Sequence, residues 1–356
     1  MIHYYKDTPE GRVWYQGSIV KDGNWVSNPS KEMLESEGWM PFEPKSPSLY
    51  TGHDPLFDDV SLKRLFNKHP ESKDIVKLVS NCLVYHYSTW DVLFKGILSS
   101  DNVNNGRAVL RAYSVNYMND ALEGLIIPRE LSKVEDQGLK EIESIIVKKD
   151  GSEVRCPATE HPLYKRRKEM EEHNALKSKQ KLFSVSFSKV SDSLPMWNYY
   201  GHDGHGLSIG FDANHIVNQG YDLVECIYDK TSINALADYI YDSCYGASEP
   251  QPPTIALSIV SKDSHFEYEK ECRIPLRQHY GQCCITKRNQ FHPIKYDIKR
   301  GVISPYVEVF LPLDAIREIW IGPTNDIELA EDSLKSWLDS VGMSWVVINK
   351  SSAPLK

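Results

Sequence analysis

Apolar and polar positions alternate with a period of two in some stretches of the chain and near 3.6 in others, which predicts short strands and short helices in mixed order. Strand-like runs are CLVYHYS (82–88), AVLRAYSV (108–115), LFSVSFS (182–188), GLSIGFD (206–212), LVECIYD (223–229), FEYEKECRIPL (266–276), YVEVFLP (306–312), EIWIGP (318–323) and WVVINKS (345–351). Helical patterns fall at WDVLFKGIL, SLPMWNYY, INALADYIYDS and ELAEDSLKSWLDS. Ser88 with Asp91 has capping-box spacing for the first of these, and Val92, Leu93, Phe94 and Ile97 give it an apolar face. Residues 129–181 are mostly helical and heavily charged, a solvated helix on one reading and a partner- or RNA-phosphate-binding patch on the other. A strand-rich middle with peripheral helices and no regular βαβ succession makes the expected fold class α+β.

The first 45 residues read as a separate small module. VWYQGSIV and NWVS flank Lys21-Asp22-Gly23, a good hairpin turn, and Ser30 is placed to cap the helix KEMLESE, which Gly38 would close. Trp14, Trp25 and Trp39 supply its apolar surface. The arrangement resembles a short module of phage and prophage proteins. Pro41, Pro44, Pro47 and Pro55 mark a linker, with short helical patterns at SLKRLFNK and KDIVKLVSN. The expected division is a module at 1–45, a linker with short helices at 46–79, and a main domain at 80–356.

Composition narrows the class. The 356 residues are 41% hydrophobic and 25% charged, with a net charge of −8. That is globular composition, and it disfavours coating of nucleic acid while leaving room for a local basic patch. No apolar run reaches the roughly 18–20 residues of a membrane span, and the start MIHYYKDTPEGRVWYQ lacks the pattern of a secretory signal. Seven scattered cysteines with no CxxC pair support neither a zinc ribbon nor a disulfide framework. The expected location is the cytoplasm.

Three strands carry candidate chemistry. Strand alternation would put Glu267, Glu269, Glu271 and Arg273 on one face and Lys270 on the other, with three carboxylates repelling one another. Polar-outward alternation on a surface strand explains the same pattern without chemistry. His86 stands between Tyr85 and Tyr87 in an apolar run, the usual setting of a satisfied core histidine. Ser184, Ser186 and Ser188 line one face of their strand, as on any half-buried sheet. Asn119-Asp120 precedes a helix and reads as an N-cap or a ligand contact. The loop Gly201-His202-Asp203-Gly204-His205-Gly206 supports the site or offers backbone N–H groups to phosphates, and no metal site is expected there.

In this order, an aromatic strand with His, a Ser-Phe-Ser strand and a Glu-x-Glu strand resemble the ADP-ribosyltransferase superfamily. The run YHYS, VLFKGIL, Asn119-Asp120 with Glu123, Met196-Trp197 with Tyr200-Gly201, GLSIGFD and YEKExR resembles domain-of-unknown-function family 2971, over roughly 80–350. The resemblance implies an ADP-ribosyltransferase-like split β-sheet core and NAD as substrate. It implies that Glu271 engages the nicotinamide ribose, that Glu269 activates or selects the acceptor, and that His86 bonds the adenosine ribose. Ser186 and Ser188 would shape the nicotinamide pocket and orient the acid. Tyr200, or Tyr199, would wall the nicotinamide ring, and Tyr87 and Asn119 complete the NAD-binding set. The implied activity is transfer of ADP-ribose to a macromolecule (RNA, DNA or protein), as in a bacterial toxin or antiviral effector with an antitoxin or phage-derived partner. Hydrolysis of NAD is its close variant. The chain mixes residue sets that the superfamily usually keeps apart, and its Glu-x-Glu does not by itself name the acceptor.

Two other classes remain open. One is a metal-dependent nuclease using Glu267, Glu269 and Glu271, which usually also needs a lysine on the same face. The other is a non-enzymatic RNA- or protein-binding module using Lys165, Arg166, Arg167 and Lys168, or the stretch KRNQFHPIKYDIKR at 287–300.

Overall fold

The computed structural model describes residues 65–118, 126–144, 182–245, 254–278, 283–285, 291–299, 301–324 and 326–354, and short segments at 3–8, 11–14, 18–21, 24–27, 30–36, 40–42, 146–149 and 152–155. Asn119, Asp120, Glu123 and the basic run Lys165–Lys168 lie outside the described residues. The chain divides into two compact units, Met1–His53 and Asp54–Lys356.

In the first unit, β1 (His3–Thr8), β2 (Gly11–Trp14) and β5 (Met40–Phe42) form a sheet in the order β2-β1-β5. The expected hairpin is β3 (Ser18–Lys21) against β4 (Asn24–Ser27), closing at Lys21↔Asn24. The Ser30 hydroxyl accepts from the Met33 N–H at 3.3 Å and caps helix Lys31–Ser36. Pro41, expected in the linker, instead lies in β5 opposite Tyr4. An edge strand tolerates proline because one side of its backbone needs no donor.

The second unit is a mixed α+β fold built on one large sheet of eleven strands. They are β6 (Leu83–Ser88), β7 (Arg107–Ser114), β10 (Leu182–Ser188), β11 (Leu207–Asp212), β12 (Val224–Glu225), β13 (Glu271–Arg277), β14 (Cys283–Ile285), β15 (Phe291–Lys299), β16 (Val302–Pro312), β17 (Ile316–Ile321) and β18 (Val347–Lys350). The main path runs β14-β15-β16-β7-β10-β6-β11-β17-β18, with β13 on β10 and β12 on β13. A separate hairpin joins β8 (Ile146–Lys149) to β9 (Ser152–Arg155).

Strand β10 organises the sheet. Along one edge it pairs with β13 over its whole length, from Leu182↔Arg277 to Ser188↔Glu271. Along the other it pairs with β7 at Phe183↔Ser114 and Ser184↔Tyr113, then with β6 at Ser188↔Tyr85. Two strands therefore leave the same edge of β10, and the ladder opens between them at Ser186.

One face of the sheet carries Val84, Phe183, Val185, Phe187, Ile209, Phe211 and Ile274 in the main core, joined by Leu334 and Leu338 of helix Ile327–Ser340. Full burial of such a side chain contributes about 1.5–3 kcal/mol. A second core unites helices Ile126–Ser144, Lys230–Tyr245 and Thr254–Val260 through Ile127, Leu131, Leu236, Ile240, Leu257 and Val260. Helix Thr254–Val260 also packs on β13.

Some local expectations are revised. LVECIYD is a strand only at Val224–Glu225, because from Asp229 the chain turns into helix Lys230–Tyr245. The helix after β6 is capped by Thr89, whose hydroxyl accepts from Val92 N–H at 3.3 Å, rather than by the Ser88–Asp91 pair. Asp91 instead pairs with Lys95 at 2.8 Å. No helix among the described residues is long and apolar enough to cross a membrane.

Candidate active site

The segment expected as a strand from Phe266 is broken in two. Asp263 accepts from His265 N–H at 3.0 Å and starts a 3₁₀ turn over Ser264–Glu269. Lys270 then adopts a left-handed conformation (φ 45°), and β13 begins only at Glu271. The face of three carboxylates therefore does not form. Glu267 is exposed and pairs with Lys270 at 3.3 Å. Glu269 and Glu271 converge from turn and strand and are both buried. This removes the acidic face on which the nuclease reading rested.

Between them lies Lys262, a residue that the sequence patterns did not single out. Its ammonium bonds the Glu269 carboxylate and reaches Glu271 Oε2 at 2.8 Å. Arg273, fully buried, grips Glu271 from the other side, Nε to Oε1 at 2.8 Å and Nη2 to Oε2 at 2.9 Å. Its Nη1 donates to the Ile259 carbonyl at 2.5 Å, at the end of helix Thr254–Val260, where carbonyls lack helical partners. Two cations thus balance two carboxylates. Burial alone would raise the Glu271 carboxyl, but Arg273 and Lys262 outweigh it and hold it at about 2. The Lys262 ammonium is lowered by burial and raised more by Glu271 and Glu269, ending above its ordinary value.

Tyr200 and Ser188 complete the cluster. Tyr200, just beyond helix Leu194–Tyr199, donates its hydroxyl to Glu269 Oε1 at 2.9 Å, and burial together with that charge raises its pKa. Ser188 Oγ donates to the Glu269 carbonyl at 2.7 Å and accepts from Val190 N–H at 3.1 Å. Its hydroxyl therefore fixes the turn that presents Glu269. Tyr228 OH accepts from Glu271 N–H at 2.9 Å. Tyr199 points outward, 69% exposed.

The other expected residues lie nearby with different roles. The Tyr87 hydroxyl is fully engaged, donating to the Val190 carbonyl at 3.0 Å and accepting from Ser193 N–H at 3.1 Å, while its ring packs edge-on against Trp197. It shapes the wall and offers no free polar atom to a ligand. His86 alternates onto the core face beside Phe187, away from the face shared by Tyr85, Ser188 and Glu271. Its Nδ1 lies 3.0 Å from the Ser186 carbonyl, in the opening between β6 and β7. A carbonyl only accepts, so Nδ1 carries the proton. Burial lowers the imidazole pKa, leaving a neutral ring whose Nε2 presents a lone pair. Ser186 Oγ is buried with no hydrogen-bond partner.

The glycine-histidine loop spends the N–H groups of Gly201, Gly204, His205 and Gly206 on carbonyls of the chain. Its N–H groups turn inward, Gly204 to the Trp197 carbonyl at 3.2 Å, His205 to His202 at 3.0 Å and Gly206 to Gly201 at 2.8 Å. The loop also stitches β11 to β17, through Gly322 N–H to Gly206 at 3.0 Å and Thr324 N–H to Gly204 at 3.1 Å.

Asp192 holds the same wall from outside. It accepts from Trp197 Nε1 at 2.6 Å, Ser351 Oγ at 2.5 Å and Ser352 N–H at 2.9 Å, which ties the segment after β18 to helix Leu194–Tyr199.

No curated protein shows significant similarity to the chain. Residues 196–274, the stretch that contains Tyr200, Lys262, Glu269, Glu271 and Arg273, match the family model described as "Protein of unknown function (DUF2971)".

Proposed function

We propose that the protein is an NAD-consuming ADP-ribosyltransferase acting on a macromolecule in the cytoplasm. The observation that carries this reading is the buried Glu269–Glu271 pair, with Glu271 held ionised opposite Ser188, on the edge of β10 across from the one where the sheet opens. The opening between β6 and β7 supports comparison with a split sheet in which a dinucleotide lies. In that setting the His86 Nε2 lone pair is suited to accept from a ribose hydroxyl, whereas Ser186 Oγ is an unused donor on the opposite face, the one that Glu271 shares.

The reaction breaks the bond between ribose C1′ and the nicotinamide nitrogen. The bonding electrons leave with nicotinamide, which departs neutral, and positive charge develops on the ribose. A fixed carboxylate facing that charge stabilises it without reorganising. In the structure Lys262 and Arg273 neutralise Glu271, so Lys262 must yield part of its contact as the sugar enters. The acceptor nucleophile then bonds to C1′ and its proton passes to Glu269, which Tyr200 orients. Water in place of the acceptor gives ADP-ribose.

The test is nicotinamide release from NAD by wild type, Glu271→Gln and Tyr200→Phe, with thermal melts alongside. Wild type should release nicotinamide, Glu271→Gln should lose at least about 100-fold, and Tyr200→Phe should lose less while shifting the pH profile. Undiminished release by a folded Glu271→Gln, or a wild type that neither binds NAD nor releases nicotinamide, rejects the proposal.

A further inference from the structure

One row of paired residues crosses five strands on the face that carries Glu271. It runs Glu318↔Gly210↔Tyr85↔Ser188↔Glu271, from β17 through β11, β6 and β10 to β13. Paired residues share a face, and four strand spacings separate the two acids by roughly 19 Å. At the Glu318 end three donors converge on one carboxylate. Tyr85 OH and Trp320 Nε1 both donate to Oε1 at 2.8 Å, and Asn349 Nδ2 donates to Oε2 at 3.1 Å. Gly210 lets Tyr85 and Glu318 meet across β11, since a Cβ there would lie 2.8 Å from Glu318 Cγ and 3.1 Å from Tyr85 Cε1. Burial, with the hydrogen bond and charge of Glu318, raises the Tyr85 pKa, so the hydroxyl keeps the proton it donates.

We infer that Glu318 and Asn349 read the amino edge of a nucleobase, the edge that adenine and cytosine share. Each carboxylate oxygen accepts two hydrogen bonds. Oε1 is filled by Tyr85 and Trp320, whereas Oε2 takes only Asn349 and keeps a lone pair. A carboxylate only accepts, so the Asn349 NH2 group faces it, and the second N–H of that group has no partner among the described residues. An acceptor and a donor therefore stand side by side. A ring that carries an amino group next to an unprotonated ring nitrogen matches both, its amine donating to Oε2 and its nitrogen accepting from Asn349. A keto edge sets an oxygen against the carboxylate and an N–H against the amide, so both contacts fail. Tyr85, Glu318, Trp320 and Asn349 are half-buried rather than sealed, and Val347, paired with Glu318, is 55% exposed. Phenol, indole and Val347 flank the polar pair with apolar surface, the usual make-up of a small-molecule site. The base site stands on these contacts alone. Which molecule brings the base rests on the NAD reading above, because NAD carries an adenine and a nucleic-acid acceptor would bring another base.

The experiment is calorimetry on the full chain with adenosine, cytidine, inosine and uridine monophosphates, which differ only in the base. The adenosine and cytidine compounds should bind, and the inosine and uridine compounds should bind at least about 10-fold more weakly. In Glu318→Gln the Trp320 N–H holds the amide oxygen in the place of Oε1, so an N–H group replaces Oε2. The preference for adenosine over inosine monophosphate should then fall to within about two-fold. Asn349→Ala, on the edge strand β18, serves as a second variant and should weaken adenosine monophosphate at least about 10-fold. Melts check that both variants fold. Undetectable binding of both amino compounds overturns the inference, as does equal affinity for the keto compounds or a preference that survives in both folded variants. A chain that prefers the amino compounds yet neither binds nor cleaves NAD rejects the transferase reading and leaves the base site standing. NAD that displaces adenosine monophosphate, and that Glu318→Gln weakens equally, identifies the base as the adenine of NAD. NAD that binds alongside adenosine monophosphate assigns the site to a base of the second substrate.

Discussion

Lys262, Arg273, Glu269 and Glu271 place two positive and two negative charges in one buried cluster, and each has a different neighbour to lose. Removing a single member leaves an uncompensated charge out of water, which costs about 3–5 kcal/mol. Glu271→Gln should therefore lower stability as well as activity, and both must be measured together. The pH dependence follows from the same contacts. The Glu271 carboxyl falls from an ordinary 4.5 to about 2 in the folded chain. A depressed acid stabilises the fold above its unfolded pKa and loses that contribution as pH falls through the folded one. Thermal melts should therefore drop between pH about 4.5 and about 2 by on the order of 3 kcal/mol from this group, and the drop should be smaller in Glu271→Gln. Sequence patterns marked Glu269 and Glu271 and missed Lys262. A lysine after the apolar run TIALSIVS reads as a helix end reaching solvent, and only the fold brings it under Glu271. Alternation of E-x-E-x-E also mimicked a strand. The contrary signal was Asp263-Ser264, a turn-capping pair, since aspartate readily bonds the backbone two residues on.

Elements with strict alternation were legible for a physical reason. LFSVSFS, GLSIGFD, YVEVFLP and EIWIGP each bury apolar side chains in the core, so period two and burial coincide. Pairing order was not legible, because β10 takes partners from both earlier and later in the chain, and nothing local encodes that choice. Close backbone approaches were equally silent. A Cβ on Gly206 would lie 2.2 Å from the Ser88 carbonyl oxygen, between β6 and the loop that joins β11 to β17. Gly206→Ala should destabilise by about 1–3 kcal/mol or more through this overlap. Gly106→Ala is the contrast, since open space surrounds it and only its φ of +66° resists a side chain. It should cost roughly 1–2 kcal/mol, and chemical denaturation of the two variants would separate steric from conformational cost.

At the scale of the whole molecule, the Asp192 clamp joins the end of the described chain to the wall of the candidate site. Truncation after Lys350 removes the Ser351 and Ser352 bonds and uncovers part of the Tyr87–Trp197 cluster, against which Ala353 packs. The truncated chain should melt lower by about 1–3 kcal/mol, with tryptophan emission shifted to the red as Trp197 gains water. An unchanged melt and spectrum would show that the clamp bears no weight.

The central position of β10 also has a consequence in time. The first strand of the candidate site ends at Ser88 and the last begins at Glu271, roughly 180 residues later, which at about 5–20 residues per second is on the order of 9–36 s of synthesis. Until that last strand emerges, Ser188 has no partner on one edge and Glu269 has neither Glu271 nor Arg273 nearby. A chain still being made, or one broken off before residue 271, lacks Glu271 and Arg273, half of the charge cluster. The charge cluster therefore assembles only once that last strand has been made.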